Sequence, residues 1–328
     1  MLADLASREV VAFDLFGDLD LRAGRVVTAG GLKALVDAAV AEPSGGVVYG
    51  AGFENHPALV ARLAARHTLL GNPPETLRAV RDPARLAAVL RDFPVTSFAA
   101  PADRSRRWLR KPLRGGGGTR VRDWRGGALP RGSYVQERID GRPCSAAAVS
   151  DGTDAVVLGL TEQLVGRRAF GVRGYRWCGN VALAHEALLG QARAICSQLA
   201  GEFGLRGLFG VDFIWDGERA WTLEVNPRPT ASLELFNGVE AFDAHLRGEL
   251  PRVEARPLYT GKAVLFATEN VTIGDSERWL ELGVRDVPHP GERIAAGRPI
   301  CTLLTTASDP LAALEQQAAQ LLEVPAHA

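Results

Sequence analysis

Two carboxylates and an amide interrupt apolar runs late in this sequence. Asp212 breaks the run from Leu208 to Trp215. Glu224 breaks the next, in Glu224-Val225-Asn226-Pro227-Arg228-Pro229. A lone carboxylate in an apolar strand is costly unless a cation or hydrogen-bond donors compensate it. Asp212, Glu224 and Asn226 together offer hard oxygen ligands, which suit magnesium held between protein and phosphates. Glu224 and Asn226 are two apart, so on a strand they share a face. Asp212 joins that face only if its cross-strand partners are even-numbered. A two-residue turn at Asp216-Gly217 would put it on the opposite side, so the spacing predicts an odd loop of three or five residues. The competing reading is a pair of edge strands whose acids face water.

A second candidate is the run Gly115, Gly116, Gly117 and Gly118, shortly after Lys111. Glycines let backbone N–H groups approach phosphates closely, and a strand lysine can reach phosphate oxygens. No Gly-Lys-Ser/Thr closes the run, so it is not a P-loop. A flexible linker is the competing reading, but the run lies between two strand candidates, as a lid loop should. The following strand carries Gln136, Glu137, Arg138 and Ile139. Backbone groups near Glu137 to Ile139 can read the polar edge of adenine, and Ile139 can cover its ring; by itself the stretch also reads as an ordinary strand.

The elements that must position these residues alternate. Val10 to Phe13, Gly46 to Tyr49 and His67 to Leu70 read as short strands, separated by helices over Gly31 to Ala41 and Pro57 to Arg66. That alternation implies a parallel sheet with covered faces. Leu2 to Ser7 reads as a short helix. Asp82 is a plausible N-cap with Pro83 at the first helical position. Strands at Arg107 to Pro112, Ser133 to Glu137, Ala146 to Val149 and Ala155 to Thr161 switch the middle to antiparallel character. His185 to Phe203 has one apolar helical face, and Gly204 is a suitable stop. Gly207 to Trp215 and Ala220 to Val225 form a strand pair. From about Arg252 a final segment holds a strand at Ala263 to Ala267 and a helix from Pro310 to Leu322.

Lys plus Arg equals Asp plus Glu at 38 each, which argues against a general nucleic-acid binder. Cys144, Cys178, Cys196 and Cys301 show no C-x-x-C spacing and read as free thiols rather than a zinc site. The first twenty residues are broken by charges and do not read as a signal peptide, and no stretch has the length of a membrane span. The default location is cytoplasmic, without a membrane partner. The six histidines show no metal or base spacing.

The order of these segments resembles the ATP-grasp superfamily: a lysine strand, a glycine-rich lid loop, an adenine strand, then D-F-I and E-V-N-x-R. E-V-N-P-R-P-T-A-S at Glu224 to Ser232, P-C-S-A at Pro143 to Ala146 and C-G-N at Cys178 to Asn180 resemble its predicted carboxylate–amine ligase branch, which includes tyramine–glutamate ligases of methanofuran biosynthesis. The resemblance implies an α/β (α+β) chain in three parts. Residues 1–75 would be a shortened Rossmann-like domain. Residues 76–250 would be the ATP-grasp domain with an antiparallel core sheet and a mobile lid at about 106–135. Residues 251–328 would be a small β-rich segment. It implies that Lys111 holds phosphates, that Gly115 to Gly118 cover them, and that Asp212, Glu224 and Asn226 ligate magnesium or manganese. Arg228 would stabilise charge on an acyl phosphate. ATP would be the nucleotide, with small-molecule carboxylate and amine substrates; glutamate with tyramine or tyrosine is the preferred pair. Arg176 and Asn180 are candidates to face the substrates, against a surface ion pair and a turn respectively. Glu162 and Gln163 follow a strand and could point into the cleft, but read more readily as a strand end. A homodimer stays open.

Three departures accompany the resemblance. Pro83 fills the place nearest a second phosphate lysine, with Arg81 or Arg85 as substitutes. The acid that often holds ribose falls near Pro143, which leaves Ser145. The N-terminal unit starts late. Two other readings stay open: a nucleotide-binding regulatory module without ligase activity, and an ATP-grasp kinase.

Overall fold

Short apolar runs bounded by glycine and proline build the N-terminal part of the computed structural model, which describes residues 9–43, 45–101, 103, 105–236, 239–251 and 258–323. β1 (Val11–Asp14) pairs in parallel with β2 (Arg25–Thr28), and α1 (Leu32–Ala41) and α2 (Pro57–Ala64) follow. β2 carries no apolar alternation because three of its four residues are exposed, and the sequence reading has no element there. The strands expected at 46–49 and 67–70 shrink to one parallel bridge, Val47 to Leu69, with Val47 N–H on Thr68 O and Leu70 N–H on Val47 O. Gly46 and Gly71 bound runs too short to pair further. The helix expected at Leu2 to Ser7 lies outside the described residues, as does most of the stretch opening the final segment. α3 (Pro74–Val80) leads to α4 (Pro83–Val89), where the Asp82 carboxylate accepts from Ala84 N–H at 2.9 Å, as an N-cap should.

A four-stranded antiparallel sheet comes next: β3 (Thr96–Ser97), β4 (Trp108–Pro112), β5 (Arg122–Trp124) and β6 (Ser133–Glu137), in the order β3-β6-β4-β5. β7 (Arg142–Asp151), β8 (Ala155–Val165) and β9 (Trp177–Leu183) begin the main sheet. α5 (Glu186–Phe203), β10 (Arg206–Trp215), β11 (Ala220–Asn226) and α6 (Val239–Arg247) follow. The chain ends with β12 (Gly261–Phe266), β13 (Val271–Thr272), α7 (Glu277–Glu281), β14 (Arg293–Ile294), β15 (Pro299–Thr305) and α8 (Pro310–Glu323). The main sheet has seven strands, all antiparallel, in the order β11-β10-β7-β8-β9-β12-β15, so β12 and β15 extend it from the C-terminal segment.

α5 starts where the His185 ring accepts from Leu188 N–H and stops at Gly204, whose φ of 59° is left-handed. Its Leu188, Ala192, Cys196 and Leu199 pack on Cys144, Ala146, Phe209, Val211 and Phe213 of the sheet. Each large apolar side chain so buried contributes about 1.5–3 kcal/mol. On the other face α6 covers Val149 and Leu208 with Phe242 and Ala244. α8 closes the far end through Leu314 and Ala318 against Leu265 and Leu303. The face of β7, β8, β10 and β11 around Asp212 stays uncovered by helix, and the smaller sheet roofs it. All four cysteines are buried free thiols. Among the described residues no helix is long and apolar enough to cross a membrane.

Candidate active site

The β10–β11 hairpin brings the oxygen-bearing residues together by a route other than the expected odd loop. Trp215 pairs with Ala220, so the loop holds four residues, Asp216 to Arg219. The Asp216 carboxylate closes it, accepting from Glu218 N–H at 2.8 Å, Arg219 N–H at 2.7 Å and Trp221 Nε1 at 2.7 Å. Phe213 then faces Thr222, and the register shifts so that Asp212 faces Glu224 and Gly210 faces Asn226. Leu223 is the extra residue of this bulge. An odd loop is required only where pairing is unbroken; here a stable even loop and a bulge together reach the same face.

Asp212 and Glu224 therefore stand side by side. Asn226 Nδ2 donates to Asp212 Oδ2 at 3.1 Å, and Gln163 Nε2 donates to Asp212 Oδ1 at 2.9 Å. Burial, reinforced by the Glu224 charge, pushes the Asp212 carboxyl up to about 7. Burial would also raise Glu224, but the Arg81 and Lys111 charges outweigh it and hold Glu224 below the usual carboxylate range. Two crowded carboxylates, one needing a proton to sit beside the other, are a donor set that a divalent cation would satisfy. With an amide as third oxygen, most remaining ligands would come from phosphates and water, the habit of magnesium.

The cleft over this pair has a volume near 2040 Å³, beyond the roughly 300–1,000 Å³ of an ordinary small-molecule pocket. Lys111 and Gly115 to Gly118 line it, as do Gln136, Glu137, Arg138 and Ile139. Lys111 Nζ donates to Gln136 Oε1 at 3.0 Å. Val95 O and Arg107 O take the N–H groups of Glu137 and Arg138. The glycine loop is folded down: Trp177 N–H donates to Gly117 O at 3.1 Å. Gly118, at φ +68°, passes so close that a Cβ there would lie 1.8 Å from Tyr175 O.

Of the two arginines weighed for the missing lysine, Arg81 enters the cleft and Arg85 points to solvent. Arg81 donates to Glu224 Oε2 at 3.3 Å and to Gly115 O at 2.9 Å. Arg228 also lines the cleft. Its guanidinium donates to Glu54 Oε1 at 2.8 Å and to Asn226 Oδ1 at 3.4 Å. Burial alone would raise Glu54, but Arg228 reverses this and holds it below the ordinary value.

Asn180 is in the cleft wall, but its amide is engaged. Nδ2 donates to Thr161 Oγ1 at 2.7 Å and to Ser145 at 3.4 Å, and Oδ1 accepts from Trp177 Nε1 at 3.0 Å. Ser145, the suggested ribose contact, spends its hydroxyl on Thr161 at 2.7 Å. Arg176 does not line the cleft. Its guanidinium lies over the Phe266 ring, 4.2 Å from the centroid, and donates to Gly297 O, so it clamps the C-terminal segment. Gln163, expected at a strand end, reaches Asp212, while Glu162 turns away to Arg142. Sequence reasoning missed Glu54, Asn55, Tyr49 and Asn72. Asn72 Nδ2 donates to Arg206 O and Pro227 O, and its Oδ1 accepts from Arg206 N–H, tying the N-terminal unit to the hairpin. Tyr49 OH donates to Asn72 O at 2.6 Å.

An antiparallel sheet bearing an Asp–Glu–Asn set, roofed by a smaller sheet with a glycine loop and flanked by a short parallel α/β unit, is the ATP-grasp fold. Residues 83–232 match the family described as ATP-grasp domain. The L-amino acid ligase of Bacillus licheniformis superimposes with a TM-score of 0.65 at 16% identity, covering 97% of this chain and 93% of that one. N5-carboxyaminoimidazole synthetase of Staphylococcus aureus, complexed with ADP, gives 0.69 at 14%, covering 98% and 93%. The biotin carboxylase domain of Hydrogenobacter thermophilus 2-oxoglutarate carboxylase, in complex with MgADP and bicarbonate, gives 0.67 at 16%, covering 90% and 80%. No curated protein matches the chain.

Proposed function

We propose that the protein is an ATP-dependent carboxylate–amine ligase. The observation that carries this reading is the pairing of Asp212 with Glu224 above Asn226, beneath a glycine loop already in contact with the opposite wall. Asp212, Glu224 and Asn226 would hold magnesium or manganese, which supplies charge neutralisation at the transferred phosphoryl group. Lys111 and Arg81 present fixed positive charge where the triphosphate would lie, and the Gly115 to Gly118 backbone covers it. The strand through Gln136 to Ile139 forms the adenine wall. A substrate carboxylate attacks the γ-phosphate and displaces ADP. The amine then attacks the acyl carbon and expels phosphate, losing a proton as the amide forms. Arg228, steadied by Glu54, faces the charge that develops on the acyl group. The folded-down loop excludes water that would hydrolyse the acyl phosphate.

On the motif resemblance we put glutamate, through its side chain, with tyramine or tyrosine first in the substrate panel, as in methanofuran-type cofactor biosynthesis. The L-amino acid ligase likeness supports amino acids as carboxylate donors. The test is phosphate release from ATP with magnesium across carboxylate–amine pairs, with the product weighed by mass spectrometry. An amide that forms with the native chain and is lost in Glu224→Gln supports the reading. Phosphorylated product without amide would replace it with a kinase. No turnover with any pair, alongside tight nucleotide binding, would replace it with a regulatory module.

A further inference from the structure

Two neighbouring side chains of one short turn hold two distant parts of the cleft. The turn Phe53–Asn55 is a single 3-10 turn entered through Gly52 at φ 95° and followed at once by α2, with Pro57 at its start. Asn55 N–H bonds Gly52 O, His56 N–H bonds Phe53 O, and the Phe53 ring lies 6.0 Å from that of Tyr49. The turn is thus braced against the N-terminal unit before it meets the site. Glu54, 3% exposed, holds Arg228 at 2.8 Å. Asn55 and Gly115 exchange a reciprocal pair of bonds. Asn55 Nδ2 donates to Gly115 O at 3.3 Å, and Gly115 N–H donates to Asn55 Oδ1 at 3.1 Å. Arg81, already on Glu224, donates to the same Gly115 carbonyl. Among the described residues Glu54 Oε2 and Arg228 Nε are buried without hydrogen-bond partners, so the contact between Glu54 Oε1 and the guanidinium sets the mutual orientation of the two side chains.

We propose that Asn55 and Glu54 are positioning residues that make lid closure and Arg228 placement one event. Asn55 latches the first glycine of the lid, and Glu54 aims the guanidinium at the acyl group. The turn lies outside residues 83–232, so the N-terminal unit contributes a working part that the matched domain lacks. The catalytic consequence rests on the ligase reading, but the latch does not. With Asn55 unlatched, the loop opens more often, water enters, and the acyl phosphate is hydrolysed before the amine arrives.

The latch is tested without turnover. Arg114, Arg120, Arg122, Arg125 and Arg131 are exposed on the lid and report its opening to trypsin. In the full chain, Asn55→Ala should raise cleavage at these arginines about tenfold, through two lost hydrogen bonds. Other sites should cut at unchanged rates. Magnesium with a non-hydrolysable ATP analogue should protect the native lid strongly and the variant lid weakly. A side chain that only packs its own turn would leave the cleavage pattern unchanged, and that result overturns the latch. If Asn55→Ala proves unstable as a whole, the near-isosteric Asn55→Asp replaces it, since it cannot donate to Gly115 O. In turnover, Asn55→Ala should raise phosphate released per amide formed at least fivefold, and Glu54→Gln should lower kcat about a hundredfold with KM for ATP unchanged. Equal coupling in the two proteins, or a Glu54→Gln effect confined to KM, overturns the coupling role. Absence of any amide from the native chain with the trypsin result intact would sink the ligase reading and leave the latch standing.

Discussion

Replacing Asp212 by Asn should stabilise the metal-free protein while disabling it. The carboxyl is held near 7 rather than 3.8 by burial and by Glu224. At 1.36 kcal/mol per pKa unit, ionising it costs up to about 4 kcal/mol. Solvent in the open cleft screens part of that, leaving roughly 1–4 kcal/mol. The sign follows from proton counts. Between about pH 4 and 7 the folded chain holds a proton that the unfolded chain releases, so stability falls as pH rises through that window and the deficit is full above it. Asn keeps the acceptor for Gln163 Nε2 and never ionises. Urea unfolding without metal should therefore show Asp212→Asn more stable than the native chain by roughly 1–4 kcal/mol at pH 8, with the gain shrinking toward pH 4. Magnesium with a non-hydrolysable ATP analogue at a hundredfold over its Kd should add about 2.7 kcal/mol to the native chain and far less to the variant. Equal stability of the two proteins at pH 8, or a difference that does not vary with pH, refutes the electrostatic argument.

Further expectations can be checked separately. Lys111→Ala should weaken ATP binding about ten- to hundredfold in calorimetric titration, as befits a lost charge-assisted hydrogen bond; unchanged affinity rejects the phosphate role. Gly118→Ala places a Cβ 1.8 Å from Tyr175 O at a left-handed φ of +68°. It should hold the loop off the wall and lower kcat at least tenfold with little change in Tm, because the loop is exposed. His245 is buried, accepts from Leu208 N–H, and is pushed by burial down to about 4. Its neutral form contributes stability above pH 6.5 that is lost as pH falls toward 4, up to about 3 kcal/mol. His245→Asn should flatten that acid limb in a pH series of urea melts, and an unchanged slope would exclude His245 as its source.

Much of the scaffold was legible because the responsible residues announce themselves locally. Asp82 before Pro83, Gly204 after the apolar face of α5, and single acids set in apolar strands all act within a few positions of themselves. β9 was not legible: Gly179 and Asn180 break its apolar run, and the Asn180 amide is satisfied by Thr161 and Ser145 from neighbouring strands as well as by Trp177 of its own. Glu54 and Asn55 stood in a turn with no periodicity, far in sequence from Arg228 and Gly115, so only three-dimensional contact reveals them. Arg176 and Gln163 show the same limit in opposite directions. The type of a side chain states what it can bond, but strand twist and neighbouring segments decide which way it faces.

The extra residue at Leu223 separates two kinds of change in the hairpin. Its tip and its ligand-bearing base are out of phase by one position, and the offset is absorbed between them. Evolution or an engineer can therefore lengthen the Asp216 to Arg219 tip by whole pairs without turning Asp212 away from Glu224. Straightening the ladder with Leu223 kept in it would set Leu223 opposite Asp212 and turn Glu224 and Asn226 toward the packed side of the sheet, where the apolar face of α5 waits.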